Sequence, residues 1–479
     1  MKAILNYIFF LLLLISVSSC KKFLNVRPDN AQGINPRTVR DFEEMLNSST
    51  LSTPNYLLAD IVSDDVAFSD KVLEAGGTGS FYVNAYLWAA AVWGPAEDDP
   101  VYNNSYRAIL QMNIILDNIS KADSGTMERK EIVTAQAKIN RAYYYLQLAN
   151  LYGTDHQPAT AAIDLAVPLI LHPDGAALPA RNTVQQVYEQ ILKDLNEAAS
   201  TDGLANFGVD VIHPGKAAAL AMLARTHLYM GNYDAAAANA EMVLKIRNTL
   251  LDYRTFSLND PSDLSKGVKN KPVTLKDQEN NPEILFAKVC MDAGFFRRFD
   301  ETLYLSSALS DVFGTKDLRS VYGFMLKPKE SYAAYPTYND NGVTSMQFNY
   351  SLGVPEMMLI KAECLARKGD ANQALSLVNE LRKFRYSDAD YVPLEVTATA
   401  DALTLVLQER RRELFLRGGL RLFDLKRLNR DVKFKKDLER VSLKDGTIKA
   451  ILPAASPRYL IPFAPKIIDN NRFIIQNER

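Results

Sequence analysis

Small, apolar and polar residues recur at helical spacing over residues 215–248, a stretch rich in alanine. The stretch divides at Gly231, and glycine commonly ends a helix because it adopts a left-handed conformation without strain. Two helices that cross closely need small side chains at the crossing, and three alanines stand at such positions: Ala224, Ala236 and Ala240. The pattern therefore predicts a helical hairpin.

A second copy of this pattern lies at residues 355–382. Ala362, Gly369 and Ala374 keep the mutual spacings found in the first copy, although the aromatic residue after the turn is missing. The spacing resembles that of the tetratricopeptide repeat. Because one such hairpin cannot bury its apolar face alone, two copies far apart predict a helical-repeat scaffold with long insertions.

Helical periodicity, capping residues and breakers predict further helices at residues 39–46, 102–119, 129–152, 183–200, 401–416 and 420–428. Thr183 is expected to cap its helix together with Gln186, three residues later. Residues 250–353 are instead rich in Asn, Asp, Gly, Pro and Tyr, and their short apolar runs favour an ordered insertion. The predicted fold class is all-α, built from tetratricopeptide-like hairpins with long loop insertions.

The N-terminus is typical of a bacterial lipoprotein signal. Lys2 precedes the apolar run of residues 8–17, which is too short to span a bilayer, and small residues lead to Cys20. We expect residues 1–19 to be removed and Cys20 to be lipid-modified, so that the mature chain is anchored to a membrane. Ordinary cleavage with Cys20 incidental is the alternative. Cys290 and Cys364 are interpreted as buried small hydrophobes.

The composition argues against several classes of function. The 55 basic and 56 acidic residues nearly balance, so no strong basic field would attract nucleic acid. The four histidines are scattered without a metal-binding spacing, and Gly76–Gly79 lacks the lysine of a phosphate loop. Adjacent acids such as Asp64 and Asp65 do not by themselves form the opposed pair of a glycosidase. We therefore expect no enzyme activity, no cofactor and no metal.

Residues 409–427 form a charge-dense segment, ERRRELFLRGGLRLFDLKR. A site for an anionic ligand is one interpretation of its arginines. Pairing of charges along and between helices is the preferred one, because Glu409 and Glu413 lie one helical turn apart while leucines and phenylalanines would face inward. We expect the segment to fix the C-terminal helices and to carry no ligand.

Eight segments, in order along nearly the whole chain, resemble the SusD/RagB family of nutrient-binding outer-membrane lipoproteins of Bacteroidetes. They include CKKFL at residues 20–24, RAYYYLQLANLYG at 141–153, NPEILF at 281–286, the segment at 409–427, and IPFAPKIIDNNRFIIQN at 461–477. The resemblance implies four tetratricopeptide-like hairpins whose loop insertions form a ligand face. It also implies a TonB-dependent outer-membrane transporter as partner, and capture of oligosaccharide or, in some members, peptide. Lys21 and Lys22 stand where the family's surface-export signal often carries acidic residues. The resemblance therefore implies attachment to the outer membrane more strongly than exposure on the cell exterior.

A sugar receptor needs exposed rings for stacking and nearby polar groups for hydrogen bonds. The 23 tyrosines and 21 phenylalanines include many in loop-like stretches. For any single ring, packing in the core is the alternative. By composition, the candidate ligand residues are Asp65, Tyr82, Trp88 and Trp93 in the first loop region, and Phe296, Arg298, Tyr304, Tyr335 and Tyr338 in the central one.

We expect a single domain over residues 20–479, with an N-terminal part at 20–248, an insertion at 249–353 and a C-terminal helical part at 354–479. The leading hypothesis is an outer-membrane lipoprotein that captures oligosaccharide for a TonB-dependent transporter. Peptide capture by the same scaffold, and a scaffold subunit of the transporter that binds no ligand, remain alternatives.

Overall fold

The computed structural model describes residues 36–74, 81–174, 178–263, 266–290, 303–329, 332–338, 348–397 and 400–479. The predicted signal peptide and Cys20 lie outside these residues. The helices before the insertion are α1 (Val39–Leu46), α2 (Ser49–Ser52), α3 (Leu57–Val62), α4 (Asp70–Glu74), α5 (Phe81–Tyr86), α6 (Pro100–Asn118), α7 (Met127–Tyr152), α8 (Val184–Ala199), α9 (Lys216–Met230) and α10 (Tyr233–Ile246). Those from the insertion onward are α11 (Ser307–Ser310), α12 (Leu318–Val321), α13 (Val354–Arg367), α14 (Ala371–Lys383), α15 (Ala402–Glu413), α16 (Leu420–Leu428) and α17 (Pro465–Asn470).

Helix α7 lies at the centre of the N-terminal helices and is buried almost continuously from Ile139 to its end. Its Arg141 joins three helices, since the guanidinium donates to both carboxylate oxygens of Asp194 on α8 at 2.8 Å and to Asn113 Oδ1 on α6 at 2.9 Å. Thr183 and Gln186 form the predicted capping box at the start of α8. The predicted helices therefore form and pack side by side.

The two hairpins predicted from the alanine and glycine pattern are α9–α10 and α13–α14. Gly231 ends α9 with φ +77°, and Gly369 lies in the second turn with φ +90°. The crossing alanines are fully buried: Ala224, Ala236, Ala240, Ala362 and Ala374. Helix α13 packs against α10 and α15, so both hairpins belong to one helical array. The expectation of an all-α, tetratricopeptide-like fold is confirmed.

Short strands occur mainly in the insertion and near the C-terminus, and the described strands pair only in twos, all antiparallel. The pairs are β1 (Val66–Phe68) with β6 (Leu303–Leu305), β2 (Ser257–Leu258) with β3 (Val268–Lys269), β4 (Ile284–Phe286) with β10 (Leu352–Gly353), β5 (Val289–Cys290) with β9 (Phe348–Asn349), β7 (Phe324–Lys329) with β8 (Tyr332–Tyr338), and β11 (Leu438–Val441) with β12 (Ile448–Leu452). The pattern along the chain did not predict these pairs; three of the six, β1–β6, β4–β10 and β5–β9, join distant segments.

One large hydrophobic cluster runs from Val39 to Ile474 and includes residues of the N-terminal helices, the insertion and the C-terminal helices. Cys290 and Cys364 are buried, as predicted, and neither forms a disulfide bond within the described residues. Within the described residues, none of the helices combines the length and apolar character needed to cross a bilayer. The division of the chain at residues 248 and 353 stays a prediction.

The segment at residues 409–427 fixes the C-terminal helices, as expected. Arg410 on α15 donates to Asp424 on α16 at 2.8 Å, and Arg427 on α16 forms a bidentate pair with Glu363 on α13. Helix α15 ends at Glu413, earlier than predicted, because Leu416 takes a left-handed conformation with φ +50°. Phe415 is only half-buried, although the inward-facing pattern predicted its burial.

Candidate functional site

Pairing of β1 with β6 brings the first candidate region against the central one. Ala67 lies opposite Tyr304, and the Ser306 amide donates to the Asp65 carbonyl oxygen at 2.9 Å. The Ser306 hydroxyl also donates to the Asp64 carbonyl oxygen at 2.6 Å. Strand β8 lies beside β6 as well. Candidate residues that are far apart in sequence therefore meet around one pair of strands.

A cavity with about 810 Å³ of space, open solvent included, lies beside these strands, and we call it the β1–β6 cavity. Its polar lining includes Asp64, Ser306, Lys436 and Arg440, with the ring of Tyr86. Carboxylate, hydroxyl and ammonium groups accept and donate the hydrogen bonds that a hydroxylated ligand requires. The sequence prediction did not include Ser306, Lys436 or Arg440, because only the three-dimensional fold brings them to this place.

Asp64 and Asp65 are buried beside cations from the C-terminal segment. Arg411 donates to Asp65 Oδ1 at 2.9 Å, Arg421 donates to both oxygens of Asp64, and Lys436 Nζ contacts Asp64 Oδ2 at 2.5 Å. Burial alone would disfavour the charge of Asp64, but Arg421 and Arg411 outweigh it and hold the pKa of Asp64 well below its usual value. Burial raises the pKa of Asp65, and Arg411 offsets part of that increase. Candidate Asp65 is thus a buried ion-pair residue.

Arg440 holds the backbone next to this acidic pair. Its guanidinium lies 4.0 Å from the ring centre of Tyr86 and 4.2 Å from that of Trp88, and it donates to the carbonyl oxygens of Ile61 and Ser63 at 2.8 Å. Trp88 itself is 1% exposed, and its indole N–H donates to the Val62 carbonyl oxygen at 3.0 Å. The expectation that Trp88 presents an exposed ring is wrong, because that ring packs against Arg440 in the core.

The other rings of the first region are also largely packed. Trp93 is 7% exposed, stacks on Phe81 at 4.8 Å between ring centres, and donates from its indole N–H to the Pro462 carbonyl oxygen at 2.6 Å. Tyr82 is half-buried beside Phe81 at 4.2 Å. Tyr304 on β6 is 3% exposed. Exposure is therefore wrong for Trp93 and Tyr304, and Tyr82 keeps accessible ring surface.

The remaining candidates are described in part or not at all. Phe296 and Arg298 lie outside the described residues. Tyr335 and Tyr338 lie on β8, where their backbones pair with Lys327 and Phe324 of β7, and their side chains are outside the described part. Ligand contact by any of the predicted site residues stays a prediction.

The described residues contain no group of three or more His, Cys, Asp or Glu side chains arranged to hold a metal ion. The polar side chains that line the β1–β6 cavity offer hydrogen bonding and ion pairing. The fold and this cavity together define a helical-repeat protein whose insertion closes against the N-terminal helices around a polar cavity.

Comparison with known families matches most of the chain. A model described as SusD-like, "Starch-binding associating with outer membrane", matches residues 22–228, and a model described as "SusD family" matches residues 301–478. The chain belongs to the SusD/RagB family, as the sequence resemblance predicted. A comparison with curated proteins found no match.

Solved structures show the same fold. A SusD superfamily protein from Bacteroides thetaiotaomicron is 21% identical, with 92% of this chain and 100% of that chain covered and a TM-score of 0.71. Another from Bacteroides vulgatus is 19% identical, with coverages of 92% and 99% and a TM-score of 0.72. A SusD-like carbohydrate binding protein from Bacteroides vulgatus is 19% identical, with coverages of 91% and 97% and a TM-score of 0.66.

Proposed function

We propose that this protein is an outer-membrane lipoprotein that captures oligosaccharide and delivers it to a TonB-dependent transporter. The description of the N-terminal family model, starch binding in association with the outer membrane, supports the ligand class and the location. The carbohydrate-binding description of one solved relative supports the ligand class as well. The lipoprotein signal ending at Cys20 supports the anchor.

The observation that carries the proposal is the convergence of two loop regions at β1 and β6 around a polar cavity. Saccharides present many hydroxyl groups, and each one that is buried needs a partner. The side chain of Lys436 is 40% exposed and supplies a donor at the wall of this cavity. Lys436 is therefore the residue whose removal tests binding at this cavity most directly.

A ligand screen tests the capture step. The chain from residue 20 onward, with Cys20→Ser to keep it unacylated, is screened against glycan and peptide arrays, and hits are titrated by calorimetry. We expect one class of oligosaccharide to bind, and Lys436→Ala to weaken that binding by about 10-fold or more, the loss typical of a hydrogen bond from a charged group. Lys193→Ala is the matched control, because Lys193 is exposed on α8.

Three outcomes of the screen contradict the proposal. Saturable binding of peptides alone supports the peptide-capturing alternative, and failure of both arrays supports the scaffold alternative. Equal affinities of the Lys436→Ala and Lys193→Ala variants, with thermal midpoints unchanged, place the ligand elsewhere.

The anchor and the partner need separate measurements in the native host. Cys20→Ala is expected to abolish fatty-acid labelling and to release the protein from the outer-membrane fraction, and proteolysis of intact cells reports the leaflet. Purification of the tagged wild-type protein in mild detergent is expected to bring down a TonB-dependent transporter. A variant that stays labelled without Cys20, or a wild-type preparation free of any transporter, contradicts these parts of the proposal.

A further inference from the structure

A second cavity lies between the insertion and the C-terminal helices and shares no lining residue with the β1–β6 cavity. The space inside it, open solvent included, is about 990 Å³. Aromatic rings from three separate segments line it, and so do three cationic side chains: Tyr253, Phe256, Tyr322, Phe415, Lys271, Arg319 and Arg417. We call it the Arg417 cavity.

The carboxylates of this cavity already have partners. Glu283 accepts from Arg385 at 2.7 Å, Glu356 forms a bidentate pair with Arg225, and Glu413 accepts from both Arg385 and Arg319. All these side chains are almost fully buried. Specific hydrogen bonds therefore occupy these carboxylates, and Arg417 acts on Glu413 only through its charge, which helps to lower the pKa of Glu413.

Arg417 differs from the other arginines of its segment. Arg410, Arg411, Arg412 and Arg421 each donate to a carboxylate or a carbonyl oxygen. Arg417 is half-buried, and no hydrogen bond or ion pair joins its guanidinium to another residue in the described ranges. It therefore keeps its N–H donors available at the wall of a ring-lined cavity.

The backbone holds Arg417 in place. Leu416 before it has φ +50°, a conformation that costs a non-glycine residue roughly 1–2 kcal/mol. Gly418 and Gly419 after it also have positive φ, and their amides donate to the two oxygens of Asp60 at 3.1 and 2.8 Å. A strained turn fixed by a buried carboxylate presents the arginine, as is common where a side chain must be aimed.

We propose that the Arg417 cavity is a second ligand site that takes a carboxylate-bearing saccharide, such as a uronic-acid residue. Aromatic faces pack against the C–H surface of a sugar ring, and a guanidinium binds a carboxylate through two parallel hydrogen bonds. The ligand class rests on the proposed function, whereas the charge preference rests on Arg417 alone. The site adds selectivity for acidic glycans to a protein whose β1–β6 cavity would take neutral ones.

Calorimetric titration of the unacylated chain tests this proposal with two probes, an oligogalacturonate and a neutral galacto-oligosaccharide of equal length. We expect the acidic probe to bind, and Arg417→Ala to weaken it by about 10-fold or more, the loss typical of a charge-assisted pair. Arg417→Lys should restore only part of the affinity, because an ammonium group cannot form the bidentate contact. Arg107→Ala is the control, since Arg107 is exposed on α6.

Two results overturn the site: an acidic probe that binds no more tightly than the neutral one, or equal affinity in wild type and Arg417→Ala. If Arg417→Ala lowers the thermal midpoint, Arg417→Gln gives the comparison with a polar, uncharged side chain that keeps part of the arginine stem. Binding of neutral glycan without binding of acidic glycan would support the proposed function and refute the second site. Failure to bind either probe, or any glycan on the array, would refute both the proposed function and the second site.

Discussion

Glu413 is the side chain whose removal should most clearly test the buried charge network between the insertion and the helical body. It accepts from Arg385 Nη2 at 2.7 Å and from Arg319 Nη1 at 2.8 Å, and the three side chains are at most 3% exposed. Glu413→Ala leaves both guanidinium groups short of one anion in the protein interior. Breaking a buried pair from one side costs about 3–5 kcal/mol, because the remaining charge is uncompensated.

This loss is measurable by equilibrium unfolding in guanidinium chloride, followed by the fluorescence of the two buried tryptophans. A thermal scan gives a second measure of the same loss. Because the entropy of unfolding of a protein of this size is roughly 0.9 kcal/mol/K, the thermal midpoint should fall by about 3–5 °C. Glu197→Ala is the matched control, since Glu197 pairs with Lys138 at the surface and should cost about 1 kcal/mol or less.

The pH dependence gives an independent check on the same group. Burial disfavours the charge of Glu413, but Arg385 and Arg319 outweigh it and lower its pKa below the ordinary value of 4.5. A lowered pKa contributes stability above that ordinary value, and the contribution is lost as the pH falls through the folded value. The difference between wild type and Glu413→Gln should therefore shrink in acid. A cost below about 1 kcal/mol for Glu413→Ala at neutral pH would refute the reasoning.

Four further variants test other parts of the structure. Burial raises the pKa of Asp60 from its ordinary value of 3.8 to about 7. The protonated carboxyl therefore contributes its full stability below pH 3.8, and this contribution is lost as the pH rises through about 7. Between about pH 5 and pH 8, the free energy of unfolding should fall less for Asp60→Asn than for wild type. Equal falls in the two proteins would contradict the raised pKa of Asp60. Gly419→Ala should destabilise the protein by about 2–4 kcal/mol, because φ is +89° and the new Cβ would lie 2.5 Å from the Cβ of Ala59. Gly231→Ala, with φ +77° and open space, should cost only about 1 kcal/mol in the same denaturation assay, and similar losses for both would rule out the steric contribution. Trp88→Ala should lower the free energy of unfolding by about 3–5 kcal/mol, a core-sized loss, and a stability equal to wild type would show that the indole is not part of the core.

Local signals in the sequence predicted the helices well. The capping box at Thr183, the glycine turns at Gly231 and Gly369, and the alanines at the crossings each depend on residues within one or two helical turns. These interactions are short-range, so a pattern along the chain is enough to indicate them.

The candidate site was harder to predict, because its side chains are placed by distant contacts. The indole of Trp88 is buried by Arg440, and that of Trp93 is held by the carbonyl of Pro462. Composition shows that a loop contains aromatic rings, but exposure depends on what packs over them. Arg417 illustrates the opposite case: charge pairing was expected for its whole segment, but Arg417 follows the left-handed Leu416, and its guanidinium makes no hydrogen bond within the described residues.

The pairing of β1 with β6 also bears on when the ligand site can form during folding. Residues 66 and 305 are separated in sequence by most of the helices, and the wall contributed by Arg440 comes later still in the chain. Contacts between such distant segments form late, because the loop that they close is entropically costly. We expect a partly synthesised or truncated chain to carry helices but no working cavity, so that ligand binding reports on the integrity of nearly the entire polypeptide.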